Sequence, residues 1–554
     1  MNTDTKTAEL IKHIDVSAAG CGCQLRMGDL NGDGRLDFVM VQPDFGGDDR
    51  YFPHSVCAAT AYSIDGELLW QIGKPCYEDI EYSADIPAQI YDADRDGSNE
   101  FLCVMNGEFC IYDGMTGELK RSFPLPDESA HDCIAFADLE GVGYAKNIIL
   151  KNRFHQIWAL DKNFNTLWTY KGNVGRYPIV CDLNGDGKDE IIAGSVVLSA
   201  DGEVLWELEG SDFPDSVCVG DLNMSGSLMI AAGGEKTNIY SGSGEIKWLL
   251  RPGVRTDNIV MGNIRADSFG EELAGYFSEM GEDGYNNGLF MTDYHGNTLF
   301  KEKRAEAAEY EYIDTIYNFD GFGAEHIIAS DCENGINIFD GYMNPIYHIP
   351  SFGTIYCADI LSDGISRVLV YDGQSVDIYS AEPCDISMTV SGCQRQQTKK
   401  LYNYSIYPYR VKDLSENALG YAIGQFAKPD VRAWAEVAAA DESSEPMTRA
   451  DFCIVICEAL QILNPGKEVF FDVRTDDYYY PAVSTIKSLG YLDDIVGKFS
   501  PTQPVTAEFA IDIIQKSAEF TPLTTKSGDD ELTKRDIAKL ILQIYQNREQ
   551  KENQ

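Results

Sequence analysis

The residues best suited to chemistry lie in the stretch NRFHQIWALDKNFNTLWTYKGNVGRYP, residues 152–178. It holds Arg153, His155, Arg176 and Tyr177, in a chain with only seven histidines. Histidine gains and loses a proton near neutral pH. Arginine is a permanent cation whose planar fork suits a carboxylate. Together they suit acid–base chemistry on an anionic group. The pattern places Arg153 and His155 on a β-strand and Arg176 and Tyr177 after the following hairpin, just before Pro178. A second pair, His131 and Asp132 in SAHDCIAF, precedes this stretch and is expected to face the same end of the fold.

The elements that must position these residues repeat along the chain. GDLNGDGRLDF (28–38), YDADRDGSNEF (91–101), ADLEGVGYAKN (137–147), CDLNGDGKDEI (181–191) and GDLNMSGSLMI (220–230) share one frame, with weaker echoes at 262–273, 318–328 and 358–368. Each unit reads as an acidic Gly-rich loop, a short apolar strand, a second strand, a Gly-containing turn and a strand ending in an aromatic. SIDGELLW (63–70), SADGEVLW (199–206) and SGSGEIKW (241–248) show that ending. Such turns between short strands mark hairpins. Four-stranded sheets recurring at this spacing predict a mainly β fold, a seven- or eight-bladed β-propeller over residues 1–410. The eighth unit lacks a clear outer strand.

The D-x-[DN]-x-D-G loops carry oxygen side chains at alternate positions, a pattern that suits calcium (Ca2+) in a structural role. Three candidate sets follow: Asp29, Asn31, Asp33 and Asp37; Asp92, Asp94, Asp96 and Glu100; Asp182, Asn184, Asp186 and Glu190. The competing reading is a polar turn whose Asp and Asn bond their own backbone, and it wins for the degenerate loops at Asp138 and Asp221.

The 554 residues include 89 acidic and 44 basic, a formal charge of -45. That charge argues against nucleic acid or an anionic membrane as partner. An anionic substrate then requires local basic groups. No apolar run approaches the ~18 residues of a membrane span, so no membrane insertion is expected. The start, MNTDTKTAEL, shows no secretory leader pattern, and fifteen scattered cysteines fit reduced thiols; both favour a cytoplasmic setting.

Past residue 410 the period changes. Residues 411–446 read as a linker with a partial first repeat, and 447–554 as a small α-helical domain. MTRADFCIVICEALQIL (447–463) has helical apolar spacing behind a Thr cap. Phe471-Asp472-Val473, Tyr480-Pro481-Ala482, Gly490-Tyr491, Phe499-Ser500-Pro501 and Val505-Thr506-Ala507-Glu508 resemble S-layer homology (SLH) repeats. The cap-and-helix starts are Thr448-Arg449-Ala450-Asp451, Thr506-Ala507-Glu508 and Thr533-Lys534-Arg535-Asp536. The resemblance implies a cell-surface setting and binding of cell-wall polysaccharide through Arg449; position 507 is Ala where that motif has Arg.

Within the repeats, NRFHQIWALD, LWTYKGNVGRYP and CDLNGDGKDEIIAG resemble a blade of propeller-type polysaccharide lyases, the ulvan lyases and rhamnogalacturonan lyase-like relatives with calcium loops of FG-GAP type. RQQTKKLYNYSIY (395–407) resembles the segment that closes such a propeller. The resemblance implies β-elimination of an anionic, uronate-containing and rhamnose-linked glycan. His155 then matches a catalytic histidine. Arg176 stands where the ulvan lyases have a second His; it cannot serve as a base but can neutralise a substrate carboxylate. Tyr240 and Arg255 match a Tyr and an Arg of following blades, and Arg153, Tyr177 and His131 are candidate substrate contacts. A region expected to read HAD-like near 213 reads FPD. Two other readings stay open: a non-catalytic propeller that binds carbohydrate or protein, and a calcium-dependent adhesion propeller.

Overall fold

In the computed structural model, the described residues run from 5 to 383, 409 to 411 and 446 to 552, with 435, 439 and short gaps. The gaps are 45–53, 79–85, 209–213, 215, 224–226, 236, 250–254, 266–269, 282–283, 303, 306–309, 322–324, 332, 461, 463–469, 471, 474–478, 493–494, 496 and 519. The 395–407 segment, Phe213, Asp215, Phe471 and nearly all of the 411–446 linker lie outside the described residues.

The chain is mainly β. Among the described residues the strands form eight successive four-stranded antiparallel meanders, the first Gln24–Gly28, Asp37–Pro43, Val56–Tyr62 and Leu68–Gly73. The third is Cys133–Ala137, Asn147–Lys151, Gln156–Leu160 and Thr166–Lys171, in the order of the chain. The expected missing outer strand of the eighth unit is supplied from the other end of the sequence. Glu9–Asp15 pairs antiparallel with Ser375–Ser380. No local pattern announces that pairing, because its partners are more than 350 residues apart.

In the first four meanders the first three strands are mostly buried and the fourth is largely exposed. Cys133–Ala137 and Asn147–Lys151 are buried throughout, whereas Thr166–Lys171 alternates between exposed and half-buried. The apolar clusters lie between neighbouring meanders. One joins Tyr356 and Leu369 of the eighth to Leu25 and Phe38 of the first. The recurring aromatic at the end of each unit has a definite job. Trp70 Nε1 donates to the Gly114 carbonyl of the next meander (2.8 Å), Trp168 to Ala200 (2.8 Å) and Trp206 to Gly242 (3.2 Å). Each indole lies against the turn glycine of that next meander. A Cβ on Gly202 would stand 2.6 Å from the Trp168 ring. The Gly of the turn and the Trp before it are therefore two halves of one contact.

The acidic loops, which join first to second strands, are tied to each other from meander to meander. Asn99 Nδ2 donates to the Asp29 carbonyl (2.8 Å) and Tyr144 Oη to that of Asp92 (3.1 Å). The Asp138 amide donates to the Asp189 carboxylate (2.6 Å). The last loop returns to the first: Leu36 N donates to Ile360 O (2.9 Å) and Ser362 Oγ to Gly34 O (2.5 Å).

Contacts divide the chain into two units. One holds Met1–Gly220, Ser227–Ile264 and Glu272–Ala422; the other holds Ile423–Gln554 with two short segments, Asp221–Gly226 and Arg265–Glu271. The second contains helices Arg449–Leu460, Tyr480–Ser488, Ala507–Ala518 and Lys534–Glu552. Three short bridges, Pro446↔Thr533, Thr448↔Pro504 and Thr506↔Glu531, precede three of these helices. In each case a threonine caps the helix that follows. Asp451 N donates to Thr448 Oγ1 (3.1 Å), Phe509 N to Thr506 Oγ1 (3.3 Å) and Asp536 N to Thr533 Oγ1 (3.3 Å). Arg449 is used internally: its Nη1 donates to Phe499 O (3.1 Å) and its guanidinium lies 5.0 Å from the Phe509 ring centre. Among the described residues no helix is long and apolar enough to cross a membrane.

Candidate active site

In a four-stranded meander, the loop from first to second strand and the turn from second to third lie at opposite ends. The acidic loops are therefore at one end of the meanders, and residues 131–132, 152–155 and 172–178 are at the other.

Arg153 and His155 are not on a strand, which corrects the sequence reading. The second strand of the third meander ends at Lys151, and the third begins at Gln156. Asn152 makes the turn between them: its Oδ1 accepts from the amides of His155 (3.0 Å) and Gln156 (2.8 Å). An Asn or Asp that bonds the backbone ahead of it is a known turn device. His155 is consequently exposed at the tip.

Beneath that turn sits a buried ion cluster. Lys151 Nζ donates to an Asp132 oxygen and to the backbone carbonyls of Asn152 (3.0 Å) and Arg153 (2.6 Å). Arg153 Nη1 donates to the other Asp132 oxygen (2.7 Å). The Lys151 and Asp132 side chains are fully buried, and that of Arg153 is 4% exposed. Arg153 therefore holds the turn instead of offering itself to a polymer, a correction to its expected role. Asp132 does not pair with His131; His131 Nδ1 lies 3.2 Å from Ser55 Oγ of the first meander. In the same connection as Ser55, His54 Nδ1 contacts Asp44 Oδ1 at 2.9 Å.

Arg176 is brought to this turn by the connection that follows the third meander. Gly172 N donates to His155 O (3.0 Å) and Val174 N to Phe154 O (3.1 Å). Gly175 has φ +63° and packs against Gly194 of the fourth meander, where an added Cβ would stand 2.5 Å from the Gly194 Cα. That contact fixes the backbone just before Arg176, which is half-buried. Tyr177 points inward: it is buried among Cys133, Ile179 and Val217, with its hydroxyl 3.5 Å from Ile134 O. Its place is structural.

The remaining candidates fall elsewhere. Tyr240 is 1% exposed, packs on Trp206 (ring centres 5.6 Å apart) and accepts from Asn238 Nδ2 (2.8 Å). Such a phenol cannot touch a polymer, so its expected catalytic role is not supported by its position. Arg255 is exposed and opens the first strand of the sixth meander, at the end corresponding to His155. The structure thus gathers His131, Asp132, Lys151, Arg153, His155 and Arg176. Sequence reasoning missed Lys151, Ser55 and the role of Asp132. A lysine closing the apolar run NIILK was the available signal.

The acidic loops are built by their own side chains. Asp29 accepts from Gly32 N (2.7 Å) and Gly34 N (2.9 Å), and Asp182 from Gly185 N (2.7 Å) and Gly187 N (2.9 Å). Burial, with neighbouring carboxylates, pushes Asp37, Asp189 and Glu190 up to about 7. For Asp29, Asn31, Asp33 and Asp37 and for Asp182, Asn184, Asp186 and Glu190, a hard cation remains an expectation drawn from the loop pattern. The middle loop differs in having a lysine beside it. Asp92, Asp94 and Glu100 do bring carboxylate oxygens within 4.8 Å of one another. The Lys120 ammonium is already among them, 2.7 Å from Glu100, 3.0 Å from Asp94 and 3.7 Å from Asp96. A metal ion at this set would have to displace that ammonium. At Asp138 the turn reading holds, since its carboxylate accepts from Val142 N (3.0 Å), Gly143 N (2.6 Å) and Tyr144 N (3.0 Å).

Residues 144–314 match the family model of the rhamnogalacturonan lyase family 11 C-terminal domain. That segment contains Lys151, Arg153, His155, Arg176 and Arg255. Among curated proteins the chain is similar to rhamnogalacturonan exolyase YesX of Bacillus subtilis (strain 168), 24% identical over 386 residues. The alignment covers 56% of this chain and 62% of YesX. It is also similar to rhamnogalacturonan endolyase YesW of the same strain, 22% identical over 255 residues, covering 36% of this chain and 41% of YesW. The chain thus spans about three fifths or less of the relatives it matches. The crystal structure of exotype rhamnogalacturonan lyase YesX aligns with a TM-score of 0.47 at 18% identity, covering 68% of this chain and 76% of that one.

Proposed function

We propose that this protein is a polysaccharide lyase that cleaves a rhamnogalacturonan-type glycan at a uronate by β-elimination. The observation that carries the reading is the grouping of His155 and Arg176 on one hydrogen-bonded pair of loops. Those loops lie inside the segment similar to rhamnogalacturonan lyases. In the proposed reaction Arg176 pairs with the uronate carboxylate and makes the neighbouring C5 proton more acidic. His155 removes that proton. The C4–O bond breaks as the C4=C5 double bond forms, and the leaving oxygen takes a proton from His131 or solvent. Arg255 is proposed to steer the anionic chain. Asp132, Lys151 and Arg153 hold the turn that presents His155.

We further infer that the eight meanders close into an eight-bladed propeller over residues 1–410, supported by the loop contacts that return from the eighth to the first. Calcium, where bound, would sit on the first and fourth acidic loops and neutralise their carboxylates. The threonine-capped helices support an SLH-like reading of 447–554, with cell-wall polysaccharide as its proposed partner.

The test is incubation with a panel of uronate glycans, including the rhamnogalacturonan backbone. Elimination leaves a product that absorbs in the ultraviolet, which hydrolysis does not. Wild type should give that product from the rhamnogalacturonan backbone, and His155→Ala should not. A second reading, a propeller that binds glycan without cleaving it, is favoured by the burial of Tyr240. It predicts retention of the polymer with no absorbing product.

A further inference from the structure

Four cysteines converge at one corner of the first meander. Cys21 and Cys23 lie just before its first strand, Cys57 is the second residue of its third strand and Cys76 follows its fourth. Cys21, Cys57 and Cys76 are half-buried and Cys23 is buried, all as free thiols.

Gln42 holds three of these residues together. It is fully buried, and its Nε2 donates to the backbone carbonyls of Cys21 and Cys76 (2.7 Å each). Its Oε1 accepts from the Cys76 amide (2.7 Å) and lies 3.5 Å from the Cys57 thiol. Cys21 N donates directly to Cys76 O (3.0 Å). Gly20, at φ +90°, permits this close approach: a Cβ there would stand 2.5 Å from both Cys76 O and Gln42 Nε2.

The thiols are not equivalent. Burial pushes Cys23 up to about 12 and Cys57 up to about 11. Both are used as donors to backbone, Cys57 Sγ to Pro43 O (3.0 Å) and Cys23 Sγ to Ala19 O (3.5 Å). The thiolate is the reactive form, so these two are held inert. Cys21 Sγ instead reaches across to the other segment, 3.6 Å from the carbonyl of Tyr77, the residue after Cys76. A backbone hydrogen bond between two paired residues sets their Cα atoms about 5–6 Å apart, inside the range of about 4.4–6.8 Å that a disulfide spans.

We propose that Cys21 and Cys76 form a reversible dithiol–disulfide site whose co-reactant is a small-molecule disulfide such as oxidised glutathione. One protein thiolate attacks the S–S bond of the reagent, forming a mixed disulfide and releasing one small thiol. The second protein thiolate then attacks the protein sulfur of the mixed disulfide and expels the other small thiol. Two protein thiols thus give up two electrons and two protons, and one reagent disulfide becomes two thiols. The new bond ties the chain entering the first meander to the chain leaving it, at the end of the meanders that carries His131 and His155. Its formation needs neither a glycan nor an intact catalytic group.

The test equilibrates the full chain in graded mixtures of reduced and oxidised glutathione, blocks the remaining thiols with iodoacetamide and maps unreduced peptides by mass spectrometry. Wild type should give one intramolecular link, Cys21–Cys76, which dithiothreitol reverses. Cys21→Ser and Cys76→Ser should each lower the linked species at least about tenfold, with a glutathione on the cysteine that is left. Cys57→Ser should keep the link within about twofold of wild type. A link that uses Cys57 or Cys23 would overturn the proposal. So would glutathione on Cys21 and Cys76 singly with no link, or unmodified thiols at every ratio.

Discussion

At one end of the third meander a loop winds around Asp138, whose carboxylate accepts three short backbone amide bonds. At the other end a turn hangs on Asp132, whose carboxylate is held by Lys151 and Arg153. Both aspartates are buried, and they sit six residues apart on either side of one strand. The difference lies in what satisfies them. Backbone amides around an aspartate shape a loop and need nothing from the rest of the chain. Side-chain cations around an aspartate tie distant residues together and fix the groups that project beyond them. The first device recurs from meander to meander. The second was found in the third, where the His155 turn is hydrogen-bonded to the connection that carries Arg176.

The largest effect should come from breaking the cation-held aspartate. Asp132→Ala strands two buried cations and should cost about 3–5 kcal/mol, read as a fall in urea midpoint, with loss of activity even where the protein stays folded. Asp138→Ala removes turn bonds only and should cost about 1–3 kcal/mol, with activity per folded molecule retained. If the two variants behave alike, the two ends are not different in kind.

The acidic end should also respond to pH. Asp37, Asp189 and Glu190 have folded values near 7, above their ordinary range. The folded state therefore holds protons that the unfolded state has released between about pH 4 and 7. Their contribution is present below pH 4 and is lost as pH rises through 7, an effect on the order of several kcal/mol. Calcium should offset that loss, raising Tm more at pH 7.5 than at pH 5. A calcium shift that is the same at both pH values would remove the first and fourth loops as cation sites.

The smallest effect concerns the middle loop. Lys120→Ala removes the tethered ammonium and should give the Asp92, Asp94 and Glu100 cluster a new calcium response, about 1 kcal/mol at a calcium concentration several times Kd. No added response would show that the lysine is not standing in for a cation.

The repeating frame was legible because every part of it is local: the Gly-containing turn, the alternating strand, the terminal aromatic. Even the Trp168 contact with Gly202 joins two features that the sequence displays separately. The site was legible in part. His155 and Arg176 stand out by residue type, but the strand expected around His155 is cut by Asn152, whose side chain competes for the backbone. Lys151 was missed because its partner, Asp132, lies just before another strand, 19 residues away, and a burial cannot be read from one lysine. Tyr240 was over-read: among 31 tyrosines, position in a motif does not distinguish an exposed phenol from one packed on Trp206. The outer strand of the eighth meander comes from residues 9–15, whose partner strand lies more than 350 residues away.

The most direct test of the account sets the two ends against each other on one substrate. Wild type, His155→Ala, Arg176→Ala and Asp186→Ala are incubated with rhamnogalacturonan oligomers, and the absorbing product is followed. The account predicts product from wild type, a loss of at least about 100-fold in His155→Ala and a comparable loss in Arg176→Ala. Asp186→Ala, at the acidic end, should keep most of its activity. Full activity in His155→Ala, or its abolition only in Asp186→Ala, would place the chemistry at the opposite end and contradict the account.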